Sequence, residues 1–70
     1  MDVLGAVLTA VDRARWVRVE SRTRRIFVWR GGPSVDVYST ATGEWVDDWP
    51  CEDSAVSADA VVEERRNKGY

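Results

Sequence analysis

Between residues 13 and 30 the chain carries seven arginines, Arg13, Arg15, Arg18, Arg22, Arg24, Arg25 and Arg30, interleaved with Trp16, Phe27 and Trp29. Aromatic rings stack on bases or fill partner pockets, and guanidinium groups neutralise phosphate or carboxylate, so this mixture points to recognition rather than catalysis. Residues suited to acid–base or metal chemistry are scarce. There is no histidine, which excludes Ser-His, Cys-His and His-metal arrangements. The single cysteine, Cys51, stands beside Glu52 and Asp53, whose charges raise a thiol pKa and suit a structural cysteine better than a nucleophile. Asp47 and Asp48 are adjacent on an expected strand and point to opposite faces, so they cannot act as a carboxylate pair. Together with Glu52 and Asp53 they match no calcium-loop spacing. The stretch RGGPS at 30–34 has the glycines of a phosphate loop but neither its lysine nor a following helix, and a hairpin turn accounts for it. No catalytic residue, metal site or cofactor is expected.

A length of 70 residues implies one domain, 1–70, with a small core and little room for an enclosed substrate pocket. A lone cysteine fits a reducing, cytoplasmic compartment, that of a host if the source is viral. The longest apolar run, VLGAVLTAV at 3–11, is too short to cross a bilayer. The net charge of −2 conceals a division into blocks. Residues 13–30 hold the seven arginines against Glu20, whereas residues 31–62 hold Asp36, Glu44, Asp47, Asp48, Glu52, Asp53 and Asp59 and no base. A basic patch and an acidic patch should therefore face different directions.

The elements that must position these groups follow from periodicity. Val3, Leu4, Val7, Leu8 and Val11 form one stripe at helical spacing behind Asp2, which predicts a helix over 3–12. The period then falls to two, and four strands are expected at about 15–20, 25–30, 35–39 and 44–49. A turn at 21–24 sets Glu20 opposite Arg25, Val19 opposite Ile26, Val17 opposite Val28, Arg18 opposite Phe27 and Trp16 opposite Trp29. Closing GGPS with Arg30 against Val35 aligns Val28 with Val37 and Phe27 with Tyr38. A loop at 40–43, with Gly43 able to take positive φ, sets Tyr38 beside Trp45 and Val37 beside Val46. A one-residue change in that last loop would instead place Trp45 and Trp49 with the valines. Pro50 ends the meander, and Ser54 or Ser57 caps a final helix at about 57–67. The expected fold is α+β, a single α-β-β-β-β-α domain with the first helix packed on an aliphatic sheet face of Val17, Val19, Ile26, Val28, Val35, Val37 and Val46.

The opposite face would then carry Trp16, Arg18, Glu20, Arg25, Phe27, Trp29, Asp36, Tyr38, Trp45 and Asp47. It serves either as a second core surface under the last helix and the arginine stems or as an open interface. Ala58, Ala60, Val61 and Val62 offer the last helix only a thin apolar stripe, which favours the interface. The expectation is a small non-enzymatic module that binds a protein partner through Trp16, Arg18, Arg25, Phe27, Trp29, Tyr38 and Trp45, with Asp36, Asp47 and Asp48 on the acidic side. Small acidic proteins of this kind are a common form for inhibitors and regulators carried by phages and mobile elements, anti-CRISPR proteins included, and for antitoxins; size and charge carry that comparison. The alternative is nucleic-acid binding along Arg13, Arg15, Arg22, Arg24 and Arg30. A pI near 5.0 stands against it. No membrane contact is expected, and a homodimer through a strand edge or the aromatic face is compatible with either reading.

Overall fold

The computed structural model describes residues 10–69. Four antiparallel strands, β1 Trp16–Glu20, β2 Arg25–Trp29, β3 Ser34–Ser39 and β4 Trp45–Pro50, lie side by side in chain order, and a helix, α1 Ala55–Asn67, follows. The layout of the described residues is thus β-β-β-β-α, which corrects the expected α-β-β-β-β-α arrangement. Most of the helix expected at 3–12 lies outside the described residues. Its last residues enter a turn at 11–13 that closes with Ala14 N–H donating to the Val11 carbonyl at 2.9 Å. Arg13 sits there at φ 61, in the left-handed region that a tight turn uses. Among the described residues no helix is long and apolar enough to cross a membrane.

Local chemistry explains the connections. The first hairpin turns through residues 21–24, with Arg24 at φ 55, and the β1–β2 register is the expected one, from Glu20 opposite Arg25 to Trp16 opposite Trp29. In the last hairpin the buried Ser39 hydroxyl accepts from the Ala41 and Thr42 N–H groups at 3.2 and 3.3 Å, while Gly43, at φ 76, donates to the Ser39 carbonyl. Such side-chain-to-backbone bonds satisfy a tight turn that has no ladder partner. Ser54 caps α1 by accepting from Ser57 N–H at 3.1 Å, and the Ser57 hydroxyl accepts from Glu52 N–H at 2.8 Å. Two donors that α1 and its lead-in would otherwise leave unpaired are thereby satisfied.

The β2–β3 register is one residue away from the expected one. Trp29, not Arg30, faces Val35, and Phe27 faces Val37. Five residues, an odd number, lie between the paired Trp29 and Val35, and this produces the shift. Because side chains alternate along a strand, the slip exchanges the faces on which β2 and β3 meet. Phe27 and Trp29 consequently share a face with Val35 and Val37, and β4 adds Trp49 opposite Val35. Ala58 and Val62 of α1 pack on this face, and the whole cluster is buried. Phe27 and Trp49 lie with ring centroids 5.4 Å apart and planes inclined by 31°. The principal core is therefore aromatic and lies under the C-terminal helix. Large sheet side chains fill most of the volume, so small helix residues suffice at the contact. Burying a ring the size of Phe27 supplies about 1.5–3 kcal/mol.

Ion pairs finish the joint between helix and sheet. Arg18 reaches Asp59 at 3.3 Å and Glu63 at 2.6 Å, and Arg66 joins Glu63 at 3.3 Å to Glu20 at 2.6 Å. Arg65 lies over the Trp49 ring, 5.2 Å from its centroid. On the other sheet face, Ala10, Ile26 and Val28 form a smaller buried cluster with Val11, Ala14 and Tyr38 against it.

Candidate functional site

Alternation along β3 and β4 directs Asp36, Tyr38 and Asp48 away from the helix. The β3–β4 ladder is interrupted between Val37 and Tyr38: Tyr38 faces Trp45, Val37 faces Asp47, and Val46 is left over. A bulge of this kind lets two consecutive residues look toward one side. Trp45 and Val46 therefore both project on the face opposite α1, where they are 55% and 43% exposed.

The electrostatics of this surface centre on Arg30. Its guanidinium donates to Asp36 at 2.8 Å and to the carbonyls of Asp12 and Ala10, and it lies over the Tyr38 ring at 5.5 Å. Residues 10–14 are thereby held against the middle of the face and cover Ile26 and Val28. Asp48 stands opposite Asp36 in the ladder. Arg30 balances Asp36, whereas Asp48 has no ion-pair partner among the described residues. Glu44, exposed beside Trp45, adds a second negative charge. The result is an exposed indole and valine with an acidic rim.

The expected interface residues thus divide between two faces. Asp36, Tyr38, Trp45 and Asp48 are together on the outer face. Phe27 and Trp29 are interior, Trp16 is half-buried against the same core, and Arg18 is engaged by α1. This corrects the single aromatic and charged face expected from the sequence. The reason is the β2–β3 shift, which turned Phe27 and Trp29 toward the helix and separated them from Tyr38. Arg25, also on the helix face, folds back to donate to the Thr23 and Arg24 carbonyls. Asp47 accepts from the Trp49 indole N–H at 3.1 Å and from the Asp48 N–H at 2.8 Å. Trp29 donates its indole N–H to the Gly32 carbonyl at 2.8 Å.

The arginines of the nucleic-acid alternative are scattered as well. Arg22 and Arg24 lie at the first hairpin tip, whereas Arg13, Arg15 and Arg30 lie at the opposite end of the five-residue strands, roughly 17 Å away. Arg15 lies along Gly31, and Arg30 is engaged as described. A polar cleft of about 200 Å³, lined by Glu20, Arg22, Thr23, Arg66 and Asn67, separates the tip from the end of α1. Cys51 is half-buried. Burial, followed by the charges of Asp53 and Glu52, pushes its thiol pKa up, so it is held as a thiol.

Sequence reasoning missed Val46 and Glu44 as members of the outer surface. The signal was present in WVDDW at 45–49, where two apolar residues followed by two acidic ones break the period of two. That break is the mark of a bulge. Comparison with protein-family models, with curated proteins and with solved structures gives no match to this chain.

Proposed function

We propose that the chain is a small non-enzymatic module that binds a protein partner through the outer face of β3 and β4, with Trp45 as the anchor. The observation that carries this reading is the exposed indole of Trp45 beside the exposed Val46, set at the bulge of the β3–β4 ladder and rimmed by Glu44 and Asp48. Tryptophan is the residue most often found at the energetic centre of an interface, and an exposed apolar cluster on a small domain marks a contact surface. The acidic rim suits a partner with basic residues around an apolar pocket, and it would speed encounter with such a surface. Together with small size and acidity, this fits a regulator or inhibitor that occupies a basic site on another protein. The dispersal of the arginines and the acid beside the exposed ring weigh against a nucleic-acid ligand.

The test is capture from a cell extract by the immobilised chain and by Trp45→Ala, with Arg22→Glu/Arg24→Glu as a third bait. A protein retained by wild type and by the arginine variant, resistant to nuclease and lost with Trp45→Ala, is the expected result. Nuclease-sensitive capture that disappears with the arginine variant would overturn the reading.

A further inference from the structure

The two edges of the sheet are built differently. β4 carries three features that discourage strand pairing: a bulge at Val46, adjacent charges at Asp47 and Asp48, and Pro50 at its end. β1 has none of these. It is five residues long, uninterrupted and paired only with β2 among the described residues. On the face opposite α1 it presents Val17 and Val19, 38% and 57% exposed. On its other face stands Arg18, the one residue at the centre of the strand whose charge would repel another strand. That charge is balanced by Asp59 and Glu63 of α1.

We propose that β1 pairs with β1 of a second copy of this chain, antiparallel and about a two-fold axis at Arg18, joining the two four-stranded sheets into one. Self-complementarity selects this occupant and this register. With the axis at Arg18, all five residues overlap. Val17 of each copy stands opposite Val19 of the other, and Trp16 stands opposite Glu20. Four valines that are exposed in the single chain then form one continuous strip. A slip of one residue would set valines against Arg18 and break the match of faces. A slip of two shortens the overlap to three strand residues and leaves Val17 or Val19 beyond the end. The two Arg18 side chains meet at the axis, each already bound to two carboxylates of its own copy. An isologous pairing of this kind closes on itself and leaves the guarded β4 edges at the two ends. It lies at the edge of the sheet away from Trp45, so it stands or falls separately from the partner site.

Sedimentation velocity of the full chain over a concentration series tests the proposal. The expected result is a monomer–dimer equilibrium that Val19→Lys weakens by at least about tenfold in Kd, with an unchanged circular dichroism spectrum, and that Trp45→Ala leaves intact. Should Val19→Lys not fold, Val17→Thr/Val19→Thr keeps strand propensity and should weaken the dimer in the same direction. In a mixture of labelled and unlabelled chains, NMR contacts between the Val17 and Val19 methyl groups of different copies identify the register. A monomer at every attainable concentration, or a dimer abolished by Trp45→Ala but indifferent to both β1 variants, would overturn it.

Discussion

The Arg18 guanidinium lies 2.6 Å from the Glu63 carboxylate, tying the edge strand β1 to the middle of α1. The bond matters because α1 contributes few apolar groups: Ala58 and Val62 are its buried residues. Five charged groups in the order Asp59, Arg18, Glu63, Arg66 and Glu20 therefore run along the β1 flank of a small apolar contact and help set the position of the helix over the sheet.

That network gives stability a defined dependence on pH. The hydrogen bond from Arg18 is the largest influence on the Glu63 carboxyl; burial, next in size, opposes it, the charges of Arg18 and Arg66 assist it, and the pKa is held below its ordinary value. A carboxylate with a lowered folded-state pKa stabilises the fold above its unfolded value, near 4.3, and this contribution is lost as pH falls through the folded value. Glu63→Gln should therefore melt below wild type at neutral pH, and the difference should close under acid. Thermal melts from pH 7 to pH 3 measure this; a gap that is constant with pH would contradict the role given to Glu63.

Phe27 and Trp49 are interior residues, so truncation should be severe. Phe27→Ala is expected to cost about 3–5 kcal/mol, a large share of the stability of a domain this small. Urea unfolding measures it. A variant with near-wild-type stability would return Phe27 to the surface and undo the β2–β3 register.

Trp45→Ala removes a ring that is more than half exposed, and its effect on stability should stay within about 0.5 kcal/mol. Its emission should also be distinctive. The loss of one exposed indole should shift the remaining tryptophan spectrum to shorter wavelength, because Trp29 and Trp49 are buried. An unchanged emission maximum would mean that Trp45 is not the accessible ring.

Arg30→Ala should release residues 10–14 from the outer face. Its guanidinium bonds to two backbone carbonyls and to Asp36, and hydrogen bonds involving a charged group contribute about 1.5–3 kcal/mol. Hydrogen exchange should accelerate at Ala14, whose N–H bonds within the turn, while β2 and β3 remain protected. Uniform loss of protection throughout the sheet would show that Arg30 supports the whole fold instead.

The strands, their order and the β1–β2 pairing were legible in the sequence because SRTR lies between two runs of period two and only one register makes every cross-strand pair favourable. The next pairing was not legible. Ile26, Phe27, Val28 and Trp29 are all buried, so β2 has no polar face to say which side belongs to the main core. The connection from Trp29 to Val35 accepts either an even or an odd number of residues with similar turn chemistry. The thin stripe on α1 misled for a related reason: the volume that fills the core comes from the sheet, and the helix is held by Arg18, Glu63 and Arg66, whose long-range partners no local pattern announces. At the candidate site, Trp45 and Tyr38 were legible as neighbours. The bulge that sets Val46 beside them required reading the failure of alternation as a feature.

The most direct test of the central claim is the paired measurement on Trp45→Ala, combining urea unfolding with nuclease-treated capture of proteins from a cell extract. Unfolding that coincides with wild type, together with loss of a protein that wild type and Arg22→Glu/Arg24→Glu both retain, is the expected outcome. A Trp45→Ala chain that folds normally and captures the same protein as strongly as wild type would contradict the assignment of the outer β3–β4 face as the binding surface.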